Sequence, residues 1–287
     1  MLRERIDAET LFCEFPVEGV AVLTLNRPEF GNGVVPEMAR DFRQVLTDLE
    51  EDLGIRAVVL TGAGRQFCAG ADLKAMKKYL DEHLHIEQEP YNARVLFPVT
   101  QGIVASRLPF IAAINGGATA GGLDLSLACD IRIASSAAKL GETYIKLGLA
   151  PGNGGTYFLP RLVGSGMAAE LALTGDIVSA GRALDIGLVN HVVEPDDLLE
   201  SAIELAKKLA SRPRRAVEAT KQALRGTWSY DLATAMSSSF YTVAALTYTD
   251  DLHEGVNAFL EKREPHFNKL PSQPDSGDDG AKDRGGS

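Results

Sequence analysis

The chain has 287 residues, with 29 Lys and Arg against 39 Asp and Glu, a net charge of −10. That acidity argues against a nucleic-acid or anionic-membrane surface, so a polyanionic ligand must find local cations. At 45% hydrophobic and 24% charged the composition is that of a soluble globular protein, one large domain or one domain with an appendage.

Cys13, Cys68 and Cys129 are odd in number, form no CxxC pair, and are expected as small buried fillers in a reducing compartment. MLRERIDAET is charged from its third residue and reads as no secretory apolar region. The uncharged stretch between Arg107 and Asp124 is too short and too broken by glycine to span a bilayer. The expectation is a cytoplasmic protein.

Val20 to Leu25 predicts a strand, ended by Asn26-Arg27-Pro28-Glu29, because proline removes a donor and restrains its predecessor. Arg27 then sits at the rim of a strand end. From Pro36 to Leu53, Met38, Phe42, Val45 and Leu49 recur at helical spacing, with Pro36 suited to a first turn and Gly54 just past the end. Ile55 to Thr61 predicts a second strand, and Gly62-Ala63-Gly64 with Arg65 to Asp72 leads from it into a helical pattern at Leu73 and Met76. Lys77 to Leu108 is of mixed charge and predicts one or two amphipathic helices interrupted by Pro90 and Pro98.

Phe110 to Ile114 predicts a strand, Asn115-Gly116-Gly117 and Gly121-Gly122 two breaks, Leu123 to Ala128 a helix, and Asp130 to Ala134 another strand. Leu140 to Leu159 is dense in glycine, which costs order unless a tight backbone path needs it. Met167 to Thr174 and Ala180 to Ile186 predict helices, Leu188 to Val193 a strand, and Leu198 to Arg212 and Pro213 to Arg225 two more helices in a helical C-terminal third. Strands recurring with helices between them give an α/β class. Pro271 to Ser287 holds one apolar residue, Ala281, and is expected to be a disordered tail.

Two of the small-residue turns share a property: each follows a buried strand and opens a helix. The first amides of a helix have no internal partner and lie at the positive end of its dipole, so a glycine there offers a bare N–H to a polarised carbonyl. Gly121 is the candidate donor in the second turn, and donors from both turns, if they converge, make an oxyanion hole. Other signals are weak. No glycine turn is followed by the Lys-Ser/Thr pair of a phosphate loop, and Gly62-x-Gly64-x-x-Phe67 lacks the third glycine of a dinucleotide fingerprint. His83-x-His85 has no further ligands at metal spacing, so no metal is expected.

Six pieces in order now carry a resemblance: LNRPE from Leu25, VVLTGAGRQFCAGADLKAM, AAINGGATAGGLDLSLACDIRIAS, KLGLAPGNGGT, LTGDIVSAGRALDIGLVNHVV and EGVNAFLEKREPHF. The chain resembles the enoyl-CoA hydratase/isomerase family, the crotonase superfamily, over nearly all but its tail. The resemblance implies a spiral of repeated β-β-α units over residues 1–197, a helical C-terminal subdomain over 198–269 and a tail over 270–287. It implies a homo-oligomer, trimer or hexamer, and an acyl-CoA substrate whose coenzyme A is part of the substrate, with no separate cofactor. It places the oxyanion donors on the N–H groups of Ala71 and Gly121. It places the CoA near Arg27, Ala69, Asp72, Leu73 and Lys74, with Phe259 and Lys262 of a neighbouring subunit near its adenine and phosphates.

The side chains depart from the family pattern. Where its hydratases hold a water between two glutamates, this chain has Asp124 and Tyr144. Aspartate keeps the carboxylate with one methylene less, whereas a phenol of reference pKa near ~10 is a proton donor and a poor base. Glu142 supplies a second carboxylate if its segment is extended, since alternate residues share a face there. Asn153, in a region where some relatives carry an acid, is no base. The expected activity is 2-enoyl-CoA hydration. The alternatives are double-bond isomerisation, decarboxylation or hydrolysis with Asp124 and Tyr144, or a non-catalytic acyl-CoA binding protein.

Overall fold

The computed structural model describes residues 4–82 and 91–268. Two sheets form its frame. The larger runs in the order β1 (Ile6–Asp7), β2 (Leu11–Val17), β3 (Val20–Leu25), β4 (Ala57–Gly62), β6 (Phe110–Ile114), β8 (Ile131–Ser135), β11 (His191–Val193). The smaller runs β10 (Val178–Ser179), β9 (Lys139–Gly141), β7 (Gly117–Thr119), β5 (Gln66–Cys68). Strands β3, β4, β6, β8 and β11 are mutually parallel, and β1 and β2 extend the sheet as an antiparallel edge.

The chain repeats one path. From β4 it steps to β5 in the small sheet and into α2 (Leu73–Glu82). From β6 it steps to β7 and into α5 (Gly121–Ala128), and from β8 to β9. These are the β-β-α turns of a spiral, stacked through parallel pairing of β4, β6 and β8 in one sheet and β5, β7 and β9 in the other. Every residue of β3, β4 and β6 is buried, which is why their sequences are unbroken apolar runs rather than alternations.

Both faces of the large sheet are covered. On one, Leu23, Leu60 and Ala112 meet Met38, Phe42 and Leu49 of α1 (Pro36–Glu51). On the other, Val22, Val59 and Ile111 meet α9 (Leu198–Ala210), whose Ala202, Ala206 and Ala210 recur at one helical turn and let it lie close. Helices α3 (Tyr91–Val95) and α4 (Phe97–Ala105) lead into β6. Helices α6 (Gly155–Val163), α7 (Ser165–Thr174) and α8 (Ala180–Asp185) follow β9, and α10 (Arg214–Gly226), α11 (Leu232–Thr247) and α12 (Asp250–Glu261) complete the described chain. The three cysteines are free and buried.

Several expectations are corrected. The Gly-rich turns contain strands β5, β7 and β9, each of three residues, so what reads as turn is the second sheet. Gly121-Gly122 is not a break but the first turn of α5, which starts two residues before Leu123. Pro98 occupies the first turn of α4, where its missing N–H is unneeded, just after the break at Leu96 that separates α3 from α4. The strand expected from Leu188 is only His191–Val193. Strand β2 was not anticipated, and its Pro16 falls where the pairing with β3 shifts register. Pro90, His83, His85 and the expected tail lie outside the described residues.

Candidate active site

The two turns meet. Gly70 adopts φ +93°, and a Cβ built on it would lie 3.0 Å from the Gly121 nitrogen and 3.2 Å from the Thr119 carbonyl oxygen. Position 70 therefore requires glycine both for its left-handed backbone and for the close approach of the second turn. Around Ala71, the Val34 N–H donates to the Gly70 carbonyl and the Asp72 N–H to the Val34 carbonyl, at 2.8 and 3.0 Å. Neither the Ala71 N–H nor the Gly121 N–H has an acceptor among the described residues. Two adjoining turns thus each present a bare main-chain donor.

Ala120 holds the second donor in place at a cost. It sits at φ 47°, ψ −122°, a region L-residues rarely adopt, as the residue that caps α5. Such strain costs on the order of 1–3 kcal/mol and persists only where surroundings fix it. Here the Ala120 N–H donates to the Gly141 carbonyl at 2.9 Å, and its carbonyl accepts the Asp124 N–H at 3.1 Å. Gly122 lies flush on the Cys68 carbonyl with no room for a Cβ, so α5 is pressed against β5. The Leu96 methyls occupy the space a Gly121 side chain would need, and the Tyr144 hydroxyl lies 3.2 Å from that point.

All eight residues of α5 are buried, including Asp124 at 0% exposure. An unpaired carboxylate there is expensive, so its surroundings decide its use. Tyr144, 3% exposed, donates its hydroxyl to Asp124 Oδ2 at 2.6 Å. Glu142, also 0% exposed, brings Oε1 to 2.6 Å from the point where a Gly155 Cβ would sit, and Asp124 Oδ1 crowds the same point. The segment carrying Glu142 and Tyr144 is not extended: Glu142 follows β9 and precedes a single 3-10 turn, Thr143–Leu147, yet both side chains end up buried beside Asp124. Asp124 Oδ1 and both Glu142 oxygens take no hydrogen bond from any other side chain of the described residues.

Burial raises the Asp124 carboxyl to about 6, against the pull of the Tyr144 hydroxyl, the Glu142 carboxyl and the Asn153 N–H. Burial and the adjoining Asp124 charge push Glu142 up to about 10. The same two causes raise Tyr144 well above the ordinary phenol value. Burial and mutual repulsion thus oppose ionising both carboxyls at once, and the phenol stays protonated. Asn153 is buried and donates to the Thr100 hydroxyl at 2.7 Å. Beside it a cavity of about 430 Å³ is lined by Phe97, Thr100, Val104, Tyr157 and Phe158.

The residues the resemblance assigned to CoA divide. Arg27 is committed to the protein: it pairs with Asp72 at 2.9 Å, donates to the Gly33 carbonyl and lies over the Phe30 ring. Asp72 caps α2, accepting the Lys74 and Ala75 N–H groups at 2.9 and 3.0 Å. Burial pushes its carboxyl up, but those N–H groups and the Arg27 guanidinium outweigh it and the net shift is downward. Ala69, Leu73 and Lys74 are exposed beside the Ala71 turn, and Phe259 and Lys262 are exposed at the end of α12. Among the described residues no group of three or more His, Cys, Asp or Glu is arranged to hold a metal ion. Gly70, Ala120, Leu96 and Gly155 shape the site without having been singled out by sequence. Gly70 and Gly155 carried a signal only as members of a small-residue turn and of the dense glycine region.

The β-β-α spiral with paired donor turns defines the class of fold. Comparison with known proteins then fixes the family. The enoyl-CoA hydratase/isomerase family model matches residues 16–270. The short-chain-enoyl-CoA hydratase of Clostridium acetobutylicum is 40% identical over 250 residues, 85% of this chain and 92% of that one. The crotonyl-CoA hydratase of Syntrophomonas wolfei is 38% identical over 251 residues, 87% and 95% of the two chains. The crystal structure of an enoyl-CoA hydratase from Bacillus anthracis superposes with a TM-score of 0.83 at 37% identity, covering 90% of this chain and 99% of that one. The chain belongs to the enoyl-CoA hydratase/isomerase family, within the crotonase superfamily of enzymes.

Proposed function

We propose that this enzyme adds water across the double bond of a 2-enoyl-CoA thioester, with the Ala71 and Gly121 N–H groups on the thioester oxygen. The observation that carries the side-chain assignment is the 2.6 Å bond from the Tyr144 hydroxyl to Asp124, in a buried cluster against Gly121. As water attacks the β-carbon, the π electrons move onto the thioester oxygen, where fixed donors stabilise the new charge most. Asp124 takes the proton of the water. Tyr144 gives its proton to the α-carbon and recovers one from Asp124 along their hydrogen bond. The balance is one water added, with both side chains restored, and a phenol serves here because it never has to remain ionised.

The hydratase names of the Clostridium and Syntrophomonas relatives support this reading, as does an acyl-sized cavity beside Asn153. The chemistry calls for no cofactor beyond the coenzyme A on the substrate. Leu232, Met236, Phe240 and Val243 form an exposed apolar stripe on α11, which fits burial against a second copy of the chain in a homo-oligomer. No helix of the described residues is long and apolar enough to cross a membrane, in keeping with a cytoplasmic site of action.

The test is to mix the protein with a short 2-enoyl-CoA and follow loss of the conjugated thioester absorbance, then repeat in heavy water. Hydration with one deuterium at the α-carbon supports the proposal. Binding without turnover or exchange would instead make this an acyl-CoA binding protein.

A further inference from the structure

Two carboxyl groups packed together inside a protein need something to balance their charge, and the surroundings of Asp124 and Glu142 offer no cation. No Lys, Arg or His forms an ion pair with either among the described residues. The titratable group facing the pair is Tyr144, and behind Tyr144 lies Cys68 from β5, whose thiol burial holds protonated at about 12. Helix α6 contributes only the Gly155 backbone, and the preceding turn contributes Pro151 and Asn153. With Asp124 Oδ2 taken by the Tyr144 hydroxyl and the Asn153 main-chain N–H also drawn to the carboxylate, the side-chain donor left for Asp124 Oδ1 among the described residues is a proton carried by Glu142. Gly155 adds a spatial argument: a Cβ there would displace both carboxyl oxygens, so the chain keeps room for them to face each other.

We propose that Glu142 is a positioning residue that keeps one proton through the neutral range and donates it to Asp124, fixing Asp124 as a single, oriented, ionised base between two O–H donors. This rests on the hydration reading for Asp124 and deepens it. Two carboxyls that share a proton titrate as a pair, so the bound proton keeps one of them ionised at a pH where burial alone would neutralise it. Loss of the Glu142 proton at high pH removes a donor from the base and sets a second charge beside the forming enolate.

The experiment is a pH–rate profile of kcat/KM for 2-enoyl-CoA hydration, paired with infrared spectra of the carboxyl region, on the full chain and two variants. The wild type is expected to rise through about 6 and fall toward about 10. Glu142→Gln keeps an N–H donor, so its acid limb stays, its alkaline limb vanishes, and turnover at neutral pH falls by less than about tenfold, the equivalent of one hydrogen bond. Glu142→Leu removes the donor, and its acid limb moves up by about one unit or more. The carbonyl stretch of a buried protonated carboxylic acid is present in the wild type at neutral pH and absent in Glu142→Gln. A missing band, a persisting alkaline limb in Glu142→Gln, or a loss as large as that of Asp124→Asn would overturn the assignment. If no enoyl-CoA is hydrated but the band appears and is lost on substitution, the hydration reading fails and the shared proton stands.

Discussion

Replacing Glu142 with Gln should make the protein more stable, and increasingly so as the pH rises. The ordinary glutamate value is 4.5, and in the folded chain burial and the Asp124 charge raise it to about 10. Between those values the unfolded chain has lost the Glu142 proton while the folded chain still binds it. Stability associated with this group is complete below 4.5 and is progressively lost as pH climbs toward about 10. One proton of difference corresponds to ~1.4 kcal/mol per pH unit. Over three units, from about pH 6 to about pH 9, the wild type should lose ~4 kcal/mol relative to the variant. Glutamine mimics the protonated acid, so the two proteins should nearly coincide near pH 5 and diverge above it. Urea unfolding at a series of pH values, at one fixed protein concentration because assembly shifts apparent stability, measures the gap. A gap that stays constant across the series would show instead that Glu142 is ionised in the folded state.

Further outcomes can be read by standard assays. Asp124→Asn should lower kcat by ~10²–10⁴, the usual size of a general-base contribution, while equilibrium binding of an acyl-CoA changes little. Tyr144→Phe removes an O–H donor that stabilises the Asp124 carboxylate, so the acid limb of the rate profile should move above about 6 and deuterium incorporation at the α-carbon should slow. Gly122→Ala forces a methyl into the Cys68 carbonyl, and thermal melting should show a loss at or beyond the ~1–3 kcal/mol usual for overpacking. Met236→Asp with Phe240→Asp should lower the mass measured by sedimentation equilibrium, since charge is placed on the exposed α11 stripe.

How much of this was legible in the sequence depends on segment length and on whether contacts are local. Strands β3, β4 and β6 read directly, because a strand buried on both faces is an unbroken apolar run. Helix α1 read directly from its four core residues at helical spacing. The second sheet did not, because strands such as Gly117–Thr119 are too short to show an alternation and are rich in the residues that mark turns. Gly121-Gly122 looked like a break for the same reason, although the closeness of Cys68 and Leu96 is what demands glycine there. The two donor turns were identifiable as strand-to-helix transitions, but their convergence rests on Gly70 meeting Gly121 from a distant part of the chain. The bond from Tyr144 to Asp124 and the nearness of Glu142 likewise come from tertiary packing. The strained backbone at Ala120 left no mark in residue type at all.

The central claim is that two main-chain donors, at Ala71 and Gly121, grip one thioester oxygen next to the Asp124 and Tyr144 pair. A crystal structure of the protein with an unreactive acyl-CoA thioester analogue tests it most directly. The account predicts both nitrogens at ~2.7–3.1 Å from the thioester oxygen, with the β-carbon facing Asp124. An oxygen bound by only one of them, or an acyl group seated away from Asp124, would contradict it.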